Sequence, residues 1–144
     1  MVVHAGDFTT EAVLDGFHDT SERLVAVHGN ADDRGVQSRL PEATTIEYGG
    51  VRIAVTHTRE GGPMELGVFG RSRDADLVVF GHSHQPTVSE TGDLTLLNPG
   101  SHAQPRGNRP GYAVLEAVEE GRLEGELREP DGTRIDTVRV DGSK

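Results

Sequence analysis

Leu77-Val78-Val79-Phe80-Gly81-His82-Ser83-His84 is the stretch on which the fold turns. Four consecutive apolar residues read as a strand buried on both faces, the habit of parallel sheets. The run passes straight into a glycine and two imidazoles. The same order recurs upstream: Val2-Val3 leads into His4-Ala5-Gly6-Asp7, Leu24 to Val27 into His28-Gly29-Asn30-Ala31-Asp32, and Val51 to Val55 into Thr56-His57. In open α/β sheets, ligand groups collect at the carboxyl ends of the strands. Strands laid side by side therefore bring these four clusters to one edge, with glycines 6, 29 and 81 permitting the tight turns that aim the next side chain inward.

Outward from these strands, Thr9 to Phe17 has helical spacing, with Ala12, Val13 and Phe17 on one side and Thr9 or Thr10 as cap. Thr45 to Tyr48 and Val51 to Val55 flank Gly49-Gly50, a hairpin signal. Met64 to Arg71 reads as a short helix after Pro63. Leu94 to Leu97 is a strand ending in Asn98-Pro99-Gly100-Ser101. Tyr112 to Ala117, Leu123 to Leu127 and Ile135 to Val140 form a closing antiparallel set. Mixed strands and helices followed by strands alone predict an α/β sandwich on two sheets, in a single domain spanning residues 1–144.

Composition narrows the function. The chain is 33% hydrophobic and 4% aromatic with no Trp, so its core is modest and built on Val and Leu. The absence of Cys removes thiol catalysis and zinc-thiolate sites. A net charge of -10 argues against nucleic-acid binding, which needs a basic face. No apolar run is long enough to span a membrane and no secretory signal is evident, so a cytoplasmic location is expected. All basic residues but Lys144 are Arg. This acidic, Lys-poor balance suits either a high-salt (halophilic) cytoplasm or an ordinary acidic protein of a GC-rich genome.

Taken singly, each polar cluster has a plain explanation: Asp7 as a helix cap, Asn30 as a turn residue, His82-Ser83-His84 as a loop. Together they supply carboxylate, amide and imidazole donors without thiolate, a set suited to Mn, Fe, Zn or Ni rather than Ca. Metal binding is the expectation from the combined pattern.

Asp7 in Gly6-Asp7, Gly29-Asn30-Ala31-Asp32, the strand-end His57 and Gly81-His82-Ser83-His84 together resemble the calcineurin-like metallophosphoesterase superfamily, in its short YfcE-type phosphodiesterase branch. The resemblance runs from Val2 to about Val118. It implies a four-layer α/β/β/α sandwich and two divalent metal ions, Mn first among them. By the same resemblance, Asp7 bridges the ions. Asn30, His57 and His82 complete one of them, and His84 binds the other. Asn30 also touches the substrate phosphate and so counts as catalytic. Hydrolysis of a phosphodiester or phosphomonoester is implied, with the phosphoester as small-molecule partner and homo-oligomerisation possible.

The resemblance departs in two places. The family's Asp-x-His pair precedes the Gly-Asp motif, and residues 1–6 hold no such pair. The expected chain is thus an N-terminally truncated one lacking the first strand and part of one metal site, through a late start or a genuine loss, with activity impaired. Position 31 is Ala where many members carry a His that protonates the leaving group. The alternative is a non-catalytic metal-binding or protein-interaction scaffold on the same fold. His28 is a weak candidate acid, Asp32 orients an imidazole or holds the loop unless it is a surface residue, and His102 and Arg106 are candidate phosphate contacts.

Overall fold

The computed structural model describes residues 1–6, 10–20, 23–29, 32–59, 62–83, 85–100 and 111–142. The elements in chain order are β1 (Val2–His4), α1 (Glu11–Thr20), β2 (Leu24–Ala26), α2 (Arg34–Arg39), β3 (Ala43–Tyr48), β4 (Val51–Thr56), α3 (Pro63–Ser72), β5 (Leu77–Val79), β6 (Thr87–Thr91), β7 (Leu94–Asn98), β8 (Tyr112–Glu119), β9 (Arg122–Arg128) and β10 (Arg134–Asp141).

A five-stranded sheet in the order β3-β4-β5-β7-β6 forms the centre. Its inner strands β4, β5 and β7 are parallel, and β3 and β6 close the two edges antiparallel. Every residue of β5 and β7 is buried. Period-two alternation divides their side chains between two cores. Leu77, Val79 and Leu97 join Val51, Ile53 and Val55 on one face. Val78, Leu94 and Leu96 join Ala54 on the other, beneath Leu66 and Phe69 of α3. Gly70 lets α3 lie close: a Cβ there would stand 2.6 Å from Val78 Cγ2 and 2.8 Å from Leu94 Cδ2.

The first face is covered by two strand groups. β1 and β2 form a parallel pair, and β8, β9 and β10 an antiparallel ribbon in the order β10-β9-β8. Val3, Ala5 and Val27 from the pair share one core with Leu123, Leu127, Val138 and Val140 from the ribbon. α1 and α2 pack outside β2, with Leu14, Val36 and Ala26 buried between them. The layers are therefore helices, strands, five-stranded sheet, helix, as the sequence predicts. The covering layer differs from the single sheet expected: among the described residues, β1 bonds only to β2 and β8 only to β9.

Thr10 caps α1, its Oγ1 accepting from Val13 N at 3.4 Å. The buried face of α1 differs from the expected one. Leu14 is fully buried and Phe17 half-buried, while Val13 is 44% exposed and Ala12 lies on the outer side. Leu14 and Phe17, three residues apart, face β2, and residues 12 and 13 are rotated off that line. Two elements carried little signal. α2 is only six residues long, started by Asp33 accepting from Val36 N at 3.1 Å. β6 is a mostly polar edge strand, hydrogen-bonded to β7 alone.

Candidate metal centre

The loops after β1, β2, β4, β5 and β7 meet at one end of the sandwich, around His57. This imidazole follows β4 and is 5% exposed. Its Nδ1 lies 2.7 Å from the carbonyl oxygen of Ala5, at the end of β1. A carbonyl only accepts, so Nδ1 carries the proton and donates, which fixes the tautomer and the plane of the ring. Gly81 N donates to His57 O at 2.9 Å, tying the loop after β5 to the same point. The His82 ring stands edge-on to His57, with centroids 5.3 Å apart and planes at 86°.

Two glycines admit the remaining loops. Gly6 has φ +104°, and a Cβ there would lie 2.7 Å from His57 Nδ1 and 2.8 Å from Gly29 N. The backbone at 6 thus lies against the backbone of Gly29 and the imidazole of His57, an approach that a side chain at position 6 would block. Asp7 and Asn30 are the residues that follow these two glycines. The structure brings His57 and His82 together. Asp7, Asn30 and His84 lie outside the described residues, as do Ala31, Ser101, His102 and Arg106. Among the described residues no three His, Asp or Glu side chains gather closely enough to hold a metal ion.

Asp32 holds the loop after β2. It is 5% exposed, its Oδ2 accepts from Gly29 N at 2.6 Å, and its own N–H donates to Gly29 O at 3.3 Å. Buried and bonded twice to Gly29, Asp32 is no surface residue. His4 supports the neighbouring turn: its Nδ1 accepts from Gly6 N at 3.1 Å while its ring packs edge-on against Phe17. His28 spends its backbone N–H on Pro41 O, and His18 is exposed on α1.

Asn98, which in sequence starts a proline-glycine turn or, by the family resemblance, a loop near the site, is 1% exposed and bonded to both neighbouring loops. Its signal in the sequence was its place at the end of an apolar run, the position shared by the other clusters. Two clefts lie away from this end. One, of about 420 Å³, runs between the β6–β7 turn and the end of β10, and the other, of about 350 Å³, between β2 and β3.

The description "calcineurin-like phosphoesterase superfamily domain" matches residues 1–120. A probable metallophosphoesterase of Methanocaldococcus jannaschii is 31% identical over 131 residues, which are 88% of this chain and 65% of that protein. The chain thus spans somewhat less than two thirds of that relative's length. Phosphodiesterase YfcE of Escherichia coli is 29% identical over 110 residues, covering 72% of this chain and 58% of its own length. Among solved structures, wild-type Vps29 of Entamoeba histolytica complexed with zinc superposes with a TM-score of 0.75 at 26% identity, over 97% of this chain and 81% of that one.

Proposed function

This chain belongs to the calcineurin-like phosphoesterase superfamily, and on that footing we propose that it is the metal-binding part of a metal-dependent phosphoesterase acting on phosphodiesters or phosphomonoesters. The observation that carries the reading is the pairing of two strand-end imidazoles, His57 oriented by its Nδ1 bond to the Ala5 carbonyl and His82 edge-on to it at 5.3 Å between ring centroids. The donor set fits a divalent ion of the Mn, Fe, Zn or Ni class, and Mn is the first choice. The zinc held by the Vps29 structure is in keeping with such donors.

Asp7, Asn30, His57 and His82 would hold one divalent ion, and Asp7 with His84 would contribute to a second. Divalent ions held there would supply Lewis acidity and lower the pKa of a water for phosphoester hydrolysis. The chain's own work is positional. Ala5 O fixes the tautomer and plane of His57, and Asp32 holds Gly29, the residue before Asn30, which would meet cation and phosphate. Ala31 has no proton to give, so leaving groups of low pKa are preferred. No helix among the described residues is long and apolar enough to cross a membrane.

Residues 1–6 bring no Asp-x-His to the centre, so we read one of the two sites as short of ligands in these 144 residues. Weak turnover or none is therefore expected of them on bis(p-nitrophenyl) phosphate with Mn. Mn titration is the sharper test. Binding that weakens at least ten-fold in His57→Ala supports the centre, and an unchanged titration overturns it. The likeness to Vps29 favours a second reading, a metal-holding interaction scaffold. A version extended by a segment with the Asp-x-His pair separates the two, because the enzyme gains turnover and the scaffold does not.

A further inference from the structure

We propose that Asn98 is a positioning residue that clamps His82 into the ligand-bearing conformation of its loop. The inference rests on the reading of His82 as a metal ligand. His82 has φ +72°, a left-handed backbone in which a residue with a Cβ is strained. Around it, Ser83 N donates to Gly81 O at 2.9 Å, closing a three-residue γ-turn of the rare left-handed form. A turn of this kind persists only where its surroundings over-determine it.

Asn98 supplies that constraint. Its Nδ2 donates to both ends of the turn, to Gly81 O at 3.2 Å and to Ser83 Oγ at 3.0 Å. Its Oδ1 accepts from Gly100 N at 2.9 Å. The orientation of the amide is unambiguous, because a backbone N–H must face the oxygen and a carbonyl the nitrogen. Asn98 is 1% exposed and ends β7, which pairs with β5 in the middle of the sheet. The clamp is thus anchored in the fully buried middle of the sheet and joins the loops after β5 and β7. It acts on the metal only through His82, by holding the imidazole beside His57.

Three measurements test this. In the metal-free protein, Asn98→Ala should speed hydrogen exchange of the Ser83 amide at least ten-fold, with Ser83→Ala, a change at an exposed residue, loosening the loop in the same direction. In Mn titrations, Asn98→Ala should weaken binding about ten-fold or more, the usual effect of removing a group that orients a ligand. Added to His82→Ala it should cost nothing further, whereas added to His57→Ala it should still weaken binding. Unchanged Ser83 protection overturns the clamp. Lost protection with unchanged Mn affinity, while His82→Ala still weakens binding, overturns the positioning role and leaves the metal centre standing. If His82→Ala itself does not alter Mn binding, the reading of His82 as a ligand falls and the proposal with it. Should Asn98→Ala not fold, Ser83→Ala decides through the same two readouts.

Discussion

Gly6 carries a tight steric requirement at the proposed centre. Its φ of +104° is costly for an L side chain, and an added Cβ would press on His57 Nδ1 at 2.7 Å and on the backbone of Gly29. Neither neighbour yields cheaply, since one is held by the Ala5 carbonyl and the other by Asp32. Gly6→Ala should therefore destabilise the fold by about 1–3 kcal/mol, the range for overpacking and left-handed strain. Mn affinity should fall with it, because the clash displaces His57. Denaturant melts and Mn titration of the variant check both, and unchanged values would mean that positions 6, 29 and 57 are not packed as described. The same residues show where sequence reading stopped. The order of apolar strand, glycine and polar residue was legible at Gly6, Gly29 and Gly81. The partner of His57 is a backbone carbonyl, which has no signature in a sequence, and the left-handed turn at His82 is hidden for the same reason.

Among the elements, α3 shows how a glycine sets the distance between layers. Gly70 faces Val78 and Leu94, and the ring of Phe69 lies between the guanidinium groups of Arg59 and Arg73, at 4.3 and 4.7 Å. Gly70→Ala gains helix propensity of about 1 kcal/mol but forces a methyl into branched neighbours at 2.6–2.8 Å. Overpacking of about 1–3 kcal/mol offsets or exceeds that gain, so the variant should be no more stable than the parent in urea melts. The β9–β10 ribbon gives a second expectation. The hydrogen bond from Arg122 holds the Asp141 carboxyl below its ordinary value of 3.8, and the backbone N–H of Thr133 does the same for Asp131. A depressed carboxyl contributes stability that is present above its unfolded pKa and lost as pH falls through the folded one. Both groups are solvent-exposed, so the effect is small. Asp141→Asn should flatten the loss of melting temperature below about pH 4, and an unchanged slope there would remove Asp141 from the account. The strands that were plainest in the sequence were the ones buried on both faces, β4, β5 and β7. α2 escaped because it has six residues and one buried side chain, Val36. β6 escaped because a polar edge strand alternates weakly, and the face of α1 was misjudged because Leu14 was set aside in favour of its exposed neighbour Val13.

For the molecule as a whole, charge and layering pull against each other. The net charge is -10, and 24 acidic residues exceed the 14 basic ones that are able to pair with them. The ion pairs on the described surface, such as Arg39 with Asp15 at 2.8 Å and Arg122 with Glu119 at 2.7 Å, join solvent-exposed partners. Pairs of this kind contribute about 0–1 kcal/mol each and fade with salt. Screening therefore removes two opposed effects, the attraction within these pairs and the mutual repulsion of the surplus carboxylates. The surplus reaches across every layer, whereas each pair is local, so repulsion is the larger of the two. Salt also strengthens burial of the Val- and Leu-based core where the anion is excluded from the surface. Melting temperature in chelator should rise as KCl goes from low to molar concentration. Mn added at constant ionic strength should raise it further in the parent chain, by mass action on the folded state, and less in His57→Ala. A melting temperature that falls with KCl would show that the ion pairs outweigh the repulsion. An equal response of parent and variant to Mn would show that the ion acts on the acidic surface at large and not at the end of the sandwich where His57 and His82 meet.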